Sequence, residues 1–156
     1  MRSFNKLLSA AGLSVVLVFT LATANASGQS SRIYIIDRLA ADAVNQIDDA
    51  AATDKIFSLP DKGNPLAIIT EELKQNSYSE IHLFLLTKPG SLIFDELNIL
   101  AENVGENGSH FNDWKKYLSP GAKIIIHSDS LTSVPEGVSL VERISEMTGV
   151  PVVVQN

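Results

Sequence analysis

The amino-acid sequence predicts one three-layer α/β domain, with a mostly parallel sheet of about five strands and helices on both faces. Two observations support this fold class. Short β-branched or apolar runs alternate along the chain with amphipathic stretches of helical period. The most apolar run, residues 122–126, is nearly continuous, which is typical of a strand buried on both faces of a sheet.

The amino-acid composition indicates one globular domain and excludes several kinds of site and partner. The chain has 156 residues, of which 45% are hydrophobic and 19% charged, values typical of one globular domain with a core. It has no cysteine, which excludes disulfides, thiolate catalysis and thiolate metal sites. A net charge of −6 argues against nucleic acid or an anionic membrane surface as the main partner.

The first 26 residues have the pattern of a signal peptide. Arg2 and Lys6 are basic, residues 7–21 are mostly apolar, and residues 24–26 form a small-x-small cleavage site. The apolar run is shorter than the roughly 20 residues that span a bilayer. We therefore expect cleavage before Ser27, a secreted or periplasmic protein, and no stable membrane span. Retention of this segment as an anchor is the alternative.

The domain itself is predicted over residues 32–156, after a short flexible leader at 27–31. Its first strand, 32–36, is rich in β-branched and aromatic residues. An amphipathic helix is predicted at 39–52, from an apolar stripe of helical spacing: Leu39, Ala43, Val44 and Ile47. A weaker second strand follows at 55–59.

The next elements are bounded by strong stop and start signals. Asn64 followed by Pro65 is typical of an N-cap and first helical residue, so a helix is predicted from there to about residue 75. A third, very apolar strand is predicted at 80–87 and is broken by Pro89-Gly90. Two short apolar patches within 91–100 indicate a small hairpin or insertion.

Two helices and two strands complete the predicted fold. A helix is expected from Ser109 to Pro120-Gly121, with a buried stripe of Phe111, Trp114 and Leu118. The strand at 122–126 follows. Ser133 and Glu136 then form a capping-box pattern for a last helix that buries Val138, Val141, Ile144 and Met147 and stops at Gly149. The final strand is 151–154.

Polar residues follow the predicted strands at their carboxyl ends, where ligands bind in open parallel sheets. These residues form the candidate ligand rim: Asp37, Thr87, Lys88, His127, Ser128 and Asp129. One interpretation is a solvated edge whose short side chains satisfy loop amides. Another is a divalent-metal site from Asp37, His127 and Asp129, although no metal-ligand spacing supports it. A third is a serine hydrolase using His127, although the Gly-x-Ser-x-Gly elbow is absent.

Two aromatic side chains outside the rim have structural interpretations. His82 lies within the third predicted strand, and we expect it to be buried and bonded to a backbone or hydroxyl partner. Trp114, in its helical stripe, is expected in the core rather than at a ligand.

From Ile33 onward the sequence resembles a bacterial extracytoplasmic domain, the domain of unknown function family 4347, found at the N-terminus of large surface proteins. The matching segments, in order, are IYIID at 33–37, EIHLF at 80–84, PGSL at 89–92, Trp114, LSPGAKIII at 118–126, Gly137 and MTGVPVVV at 147–154. The resemblance implies a fold like that of the caspase, gingipain and CHAT peptidase group.

The sequence departs from that family where the peptidase group has its catalytic dyad. The family's histidine after the third strand aligns with Leu86, and its following glycine with Thr87. The family's cysteine after the fourth strand aligns with Asp129. Leucine cannot transfer a proton, and an aspartate does not replace a thiolate nucleophile in peptide hydrolysis.

The sequence therefore predicts a secreted, non-catalytic relative, a pseudoenzyme, that serves as a binding or interaction domain of the cell envelope or exterior. We expect no catalytic residue, metal or cofactor, and an unidentified protein or glycan of the envelope as its partner. The alternative is a hydrolase with a remodelled site at His127 and Asp129, with or without a metal.

Overall fold

A computed structural model describes residues 31–155, apart from 48, 49, 51 and 96. The predicted signal peptide lies outside the described residues. The strands are β1 (Arg32–Ile36), β2 (Lys55–Ser58), β3 (Tyr78–Phe84), β4 (Leu86–Lys88), β5 (Ser91–Phe94), β6 (Leu97–Leu100), β7 (Leu118–His127) and β8 (Val152–Gln155). The α-helices of this part of the chain are α1 (Pro65–Leu73), α2 (Gly108–Trp114) and α3 (Pro135–Thr148). Short 3-10 helices span Arg38–Gln46, Val104–Asn107 and Leu131–Ser133.

In the described chain, five strands form one sheet in the order β2-β1-β3-β7-β8, and every neighbouring pair is parallel. The chain passes from β1 to its neighbour on one side, β2. Each later connection, from β2 to β3, β3 to β7 and β7 to β8, runs in the opposite direction across the sheet. Because parallel crossovers are right-handed, the two sets of connections lie on opposite faces of the sheet. This arrangement confirms the predicted three-layer α/β fold.

One face of the sheet carries the main core. Ile33, Ile81 and Ile124, paired across β1, β3 and β7, are 0% exposed. The same cluster contains Leu66 from α1 and Leu140 from α3. Fully burying a side chain of this size stabilises a fold by roughly 1.5–3 kcal/mol. The α-helices of the described chain therefore hold this face together.

The opposite face carries a smaller cluster of Tyr34, Ile36 and Phe84, against which Ala40 and Ile47 pack. The 3-10 helix Arg38–Gln46 supplies Ala40, in place of the α-helix predicted over residues 39–52. In the described residues that prediction is wrong in helix type, and the backbone also kinks at Ala40 (φ −118°, ψ 25°). Leu39, expected on the buried stripe, is 42% exposed.

The third predicted strand is split between two sheets. β3 ends at Phe84, and after Leu85 the chain enters β4, which pairs antiparallel with β5. β5 pairs in turn with β6, so the hairpin predicted within residues 91–100 is confirmed. Among the described strands, β4, β5 and β6 form their own small sheet in that order.

The helix predicted from Ser109 to Pro120-Gly121 is shorter in the structure. α2 ends at Trp114, and Leu118, expected on its buried side, begins β7 instead. Pro120 and Gly121 lie within β7, in a bulge between the Tyr78–Leu118 and Glu80–Lys123 pairs. The bulge accommodates both residues, since proline needs no ladder partner there and Gly121 adopts φ 78°.

The last helix begins differently from its prediction and ends as predicted. Its N-cap is Val134, and the hydroxyl of Ser133 donates instead to the Ser130 carbonyl oxygen at 2.6 Å. Val138, expected in the core, is 44% exposed, whereas Ile144 is buried. Gly149 ends α3 in a left-handed conformation, φ 67°, as a C-cap glycine does.

In the part of the chain that the structure describes, no helix has both the length and the apolar character needed to cross a bilayer.

Candidate functional site

A pocket of ≈ 560 Å³ lies at the carboxyl ends of β3 and β7. The parallel register brings these strand ends together, because Phe84 of β3 pairs with His127 of β7. The residues lining the pocket are Leu39, Ala40, Phe84, Leu85, Leu86, Thr87, His127, Ser128, Asp129, Ser130 and Gln155. Its wall is thus apolar on the β3 side and polar on the β7 side.

The structure brings together four of the six residues of the candidate ligand rim. Thr87, His127, Ser128 and Asp129 all line this pocket. Lys88 is exposed on β4 and does not line it. The rim predicted from strand ends is therefore divided by the split between β3 and β4.

Asp37 is the second rim residue outside this pocket, and it has a structural contact of its own. It is 3% exposed, and its Oδ1 accepts a hydrogen bond from the Leu39 backbone amide at 2.8 Å. It borders a second pocket of ≈ 490 Å³ beside Asp61 and Asp95. The Asp37 carboxylate thus satisfies the start of the 3-10 helix rather than facing His127.

Ser128 organises the turn that closes the polar side of the pocket. Its hydroxyl accepts hydrogen bonds from the amides of Ser130, at 3.2 Å, and Leu131, at 2.9 Å. A third hydrogen bond joins it to the hydroxyl of Thr87 at 2.6 Å. Two of the predicted rim residues therefore join the β4 wall of the pocket to the β7 wall.

Replacing Ser128 with alanine is expected to lower the free energy of unfolding by about 1 kcal/mol, as the loss of a capping hydroxyl does. Urea denaturation measures the change. Ser130→Ala is the matched control, because the Ser130 hydroxyl has no partner among the described residues. Equal effects of the two substitutions would contradict the capping role.

Behind the pocket, polar side chains form a chain of hydrogen bonds across the sheet. His127 Nε2 lies 3.0 Å from His82 Nδ1, and His82 Nε2 lies 3.2 Å from Glu80 Oε2. Lys123 Nζ pairs with the other oxygen of Glu80 at 3.1 Å. His82 is buried, as expected, but its partners are these side chains rather than a backbone or hydroxyl group, so that part of the prediction is wrong.

The rings along this chain are stacked almost in parallel. The ring centroids of Phe84 and His127 are 3.9 Å apart at an interplanar angle of 8°. Those of Tyr34 and His82 are 4.6 Å apart at 23°. Because stacking and hydrogen bonding act together, the imidazole of His127 is held in one orientation at the pocket.

Burial governs the protonation of these groups. Burial and the neighbouring His82 lower the pKa of His127 from 6.5 to about 4. Burial also lowers the pKa of His82, against the opposing effect of Glu80. For Glu80, burial works to raise the pKa, but hydrogen bonds from Lys123 and His82 bring it below its ordinary value. At neutral pH both imidazoles are therefore uncharged and Glu80 is ionised.

Acidification is expected to destabilise the fold progressively between pH 6.5 and about 4, the unfolded and folded pKa values of His127. In that interval the unfolded chain binds more protons than the folded one, so stability falls as pH falls. The lowered pKa of His82 acts in the same direction. Glu80 adds a further loss below its ordinary value of 4.5, because its ionised form is stabilised in the fold.

Urea denaturation across this pH interval measures the loss. His127→Gln removes one titrating imidazole and keeps an N–H donor for His82, so its stability is expected to fall less steeply with acid. An identical pH profile for the variant and the wild type would contradict the assignment to His127.

Neither the metal site nor the serine–histidine pair suggested by the sequence is assembled among the described residues. In the described residues, no three histidine, cysteine or acidic side chains converge to hold a metal ion. The Ser128 hydroxyl hydrogen-bonds to Thr87 and to backbone amides, and no contact joins it to an imidazole in this part of the chain. A serine–histidine pair of the kind that activates a nucleophile is therefore not formed there.

Reasoning from the sequence missed Glu80 and Lys123 as members of the site. The available signal is the alternation of side chains in a strand, which places Glu80, His82 and Phe84 on one face of β3. Recognising that His127 shares this face requires the register between β3 and β7, which are distant in the sequence.

Comparisons with solved structures find dehydrogenases of low similarity. A short chain dehydrogenase family protein from Francisella tularensis subsp. tularensis SCHU S4 has 14% identity and a TM-score of 0.38, over 77% of this chain and 58% of that one. Lactate dehydrogenase from Eimeria maxima, solved with NADH and oxamate, has 15% identity and a TM-score of 0.39, over 82% of this chain and 44% of that one. Such low scores carry no argument about activity.

Sequence comparisons give a clearer result. No curated protein matches the chain significantly. A family model, Domain of unknown function (DUF4347), matches residues 33–156, which is nearly all of the described part of the chain. This chain therefore belongs to the family of domains of unknown function DUF4347.

Proposed function

We propose that this chain is a non-catalytic binding domain of a bacterial cell envelope or exterior, with a caspase-like fold and a vacated active site. One observation carries the proposal. Leu86 and Asp129, the positions at which the resemblance places a catalytic histidine and cysteine, line the same pocket. In this proposal the pocket corresponds to the active site of the peptidase group, with leucine and aspartate in place of the histidine and cysteine.

The protonation of His127 supports binding rather than catalysis. A general base works best with a pKa near the operating pH, whereas the pKa of His127 is lowered to about 4 by burial and by His82. At neutral pH this imidazole is a hydrogen-bond acceptor, but it is too weakly basic to deprotonate an alcohol effectively. A hydrolase using His127 and Asp129 is therefore the less favoured function.

The proposed location depends on the pattern of residues 1–26, whose basic, apolar and small-residue segments match an export signal. Expression of the full chain in a bacterial host is expected to deliver it outside the cytoplasm, with Ser27 as its first residue. Fractionation followed by N-terminal sequencing tests this. Recovery of the uncleaved chain in the cytoplasm would contradict export.

Binding at the pocket is tested with an immobilised peptide library and the purified exported protein. The wild type is expected to retain a subset of peptides uncleaved, and Leu86→Asp is expected to lose them. Leu86 is 40% exposed, so a charge there does not disturb the core. Val138→Asp is the matched control, because Val138 is 44% exposed on α3, outside the pocket.

Three results would overturn the proposal. Retention of no peptide, or equal retention by the Leu86→Asp variant, would remove the pocket as a binding site for peptides. Specific peptide cleavage that Asp129→Ala or His127→Ala abolishes would establish the hydrolase alternative instead.

A further inference from the structure

The hydrogen-bond chain behind the pocket fixes which nitrogen of His127 carries its proton. Glu80 is ionised at neutral pH and can only accept, so His82 donates to it through Nε2–H. In a neutral imidazole the other nitrogen is then an acceptor. His82 Nδ1 therefore accepts from His127 Nε2–H across the 3.0 Å contact. The remaining nitrogen of His127, Nδ1, is left with its lone pair.

That lone pair is accessible to a ligand. His127 lines the pocket, and no described residue hydrogen-bonds to its Nδ1. In the described chain, no buried side-chain nitrogen or oxygen is left without a partner. Within the described chain, His127 Nδ1 therefore has no protein partner and can accept a hydrogen bond from a ligand in the pocket.

The remaining lining residues define the rest of the ligand. Asp129 is the charged residue of the lining, and neither lysine nor arginine of the described chain contributes to it. Opposite lie apolar side chains, of which Leu39 and Leu86 are 42% and 40% exposed. A negatively charged ligand would meet a lone pair and a carboxylate at once, whereas an N–H or O–H donor would satisfy both.

We propose that the pocket selects ligands with an apolar body and an N–H or O–H donor group, and that it excludes anions. Glu80 and His82 are positioning residues in this scheme, because they act through the orientation and tautomer of His127. The inference rests on the proposed binding function, and it adds the chemical class of the ligand.

The tautomer of His127 can be measured without any ligand. The chain has three histidines, so ¹⁵N NMR of histidine-labelled protein resolves each ring, and His110 serves as an internal reference outside the pocket. We expect His127 Nε2 to carry the proton at neutral pH and Nδ1 to be unprotonated. A protonated Nδ1 would overturn the inference and leave the proposed binding function standing.

Ligand class is then tested with three probes of matched shape: benzamide, benzamidinium and benzoate. Benzamide and benzamidinium are expected to shift the His127 Nδ1 resonance in a saturable way, and benzoate to bind at least about tenfold more weakly, as an unsatisfied polar contact predicts. Benzoate binding as tightly as benzamide would overturn the inference alone. Failure of all three probes would overturn the inference about ligand class, and retention of peptides by the wild type would then leave the proposed binding function standing.

Variants of His82 separate positioning from simple structural support. His82→Phe keeps a flat ring beside Tyr34 and removes the acceptor for His127. Its discrimination between benzamide and benzoate is expected to shrink several-fold, as for a lost hydrogen bond. His82→Gln restores an acceptor oxygen and is expected to recover the discrimination. Equal discrimination by the phenylalanine variant and the wild type would overturn the positioning role. If the variants do not fold, the tautomer of His127 measured in the wild type decides the inference.

Discussion

Replacing Trp114 with alanine is expected to lower the free energy of unfolding by about 3–5 kcal/mol, the usual cost of truncating a buried aromatic side chain. The indole is 0% exposed and packs edge-to-face on Phe111, with ring centroids 5.0 Å apart. Its Nε1–H donates to the Thr70 hydroxyl at 3.0 Å, which joins α2 to α1. The substitution therefore leaves a cavity where the two helices meet the sheet.

Urea denaturation of the wild type and two variants measures this effect. Trp114→Phe is the control, because it keeps most of the apolar volume and loses the hydrogen bond to Thr70. The Thr70 hydroxyl keeps its own bond to the Leu66 carbonyl at 2.7 Å, so it is not left without a partner. A smaller loss of unfolding free energy for Trp114→Ala than for Trp114→Phe would contradict this account of the core.

Replacing Gly137 with alanine is expected to cost about 3 kcal/mol or more, at the upper end of overpacking effects. A Cβ atom at this position would lie 1.8 Å from the Leu131 carbonyl oxygen and 2.7 Å from its carbon. Both are backbone atoms, so a side-chain rotation cannot relieve the collision. α3 would have to move away from the 3-10 helix Leu131–Ser133.

The expected loss appears as a lower midpoint of urea denaturation, with Gly105→Ala as the matched control. A Cβ at Gly105 would meet nothing within 4 Å, so that variant is expected within about 0.5 kcal/mol of the wild type. Gly137→Ala is also expected to disturb the pocket, because the Leu131 backbone amide donates a hydrogen bond to the Ser128 hydroxyl that closes it. Wild-type stability for Gly137→Ala would show that the close approach does not exist in solution.

Local patterns were sufficient to predict several elements of the fold. The β-branched and apolar runs place β1 and β7 in the sheet, and Gly149 marks the end of α3 because only a residue tolerant of positive φ fits there. Pro89-Gly90 indicates the turn at which the chain reverses into β5. These signals are local, and the tertiary structure does not override them.

Other parts of the fold depend on contacts that the sequence does not display. Phe111, Trp114 and Leu118 have the spacing of one helical face, yet Leu118 pairs with Tyr78 in the sheet. Pro120 and Gly121 are ordinarily helix and strand breakers, and only the bulge opposite β3 lets them lie in β7. Tertiary pairing thus outweighs the local helical pattern at this point.

The sequence predicted where in the fold the candidate site lies, but not which residues form it. The strand-end argument correctly points to His127, Ser128 and Asp129 as neighbours at one edge of the sheet. It also includes Lys88, because it treats residues 80–87 as one strand, and Asp37, which does follow β1 but borders the second pocket. The contact between His82 and His127 follows from register alone and leaves no local pattern.

The transfer of the chain from β3 to β4 through the single residue Leu85 has a consequence for how such domains can diversify. The pocket wall at Leu86 and Thr87 is fixed to the main sheet by this short connection and by the bond to Ser128. In this small sheet the strand order is β4-β5-β6, so β6 is the strand farthest from that wall. Exposed positions on β6 can therefore be altered by design while both attachments of the pocket wall are kept.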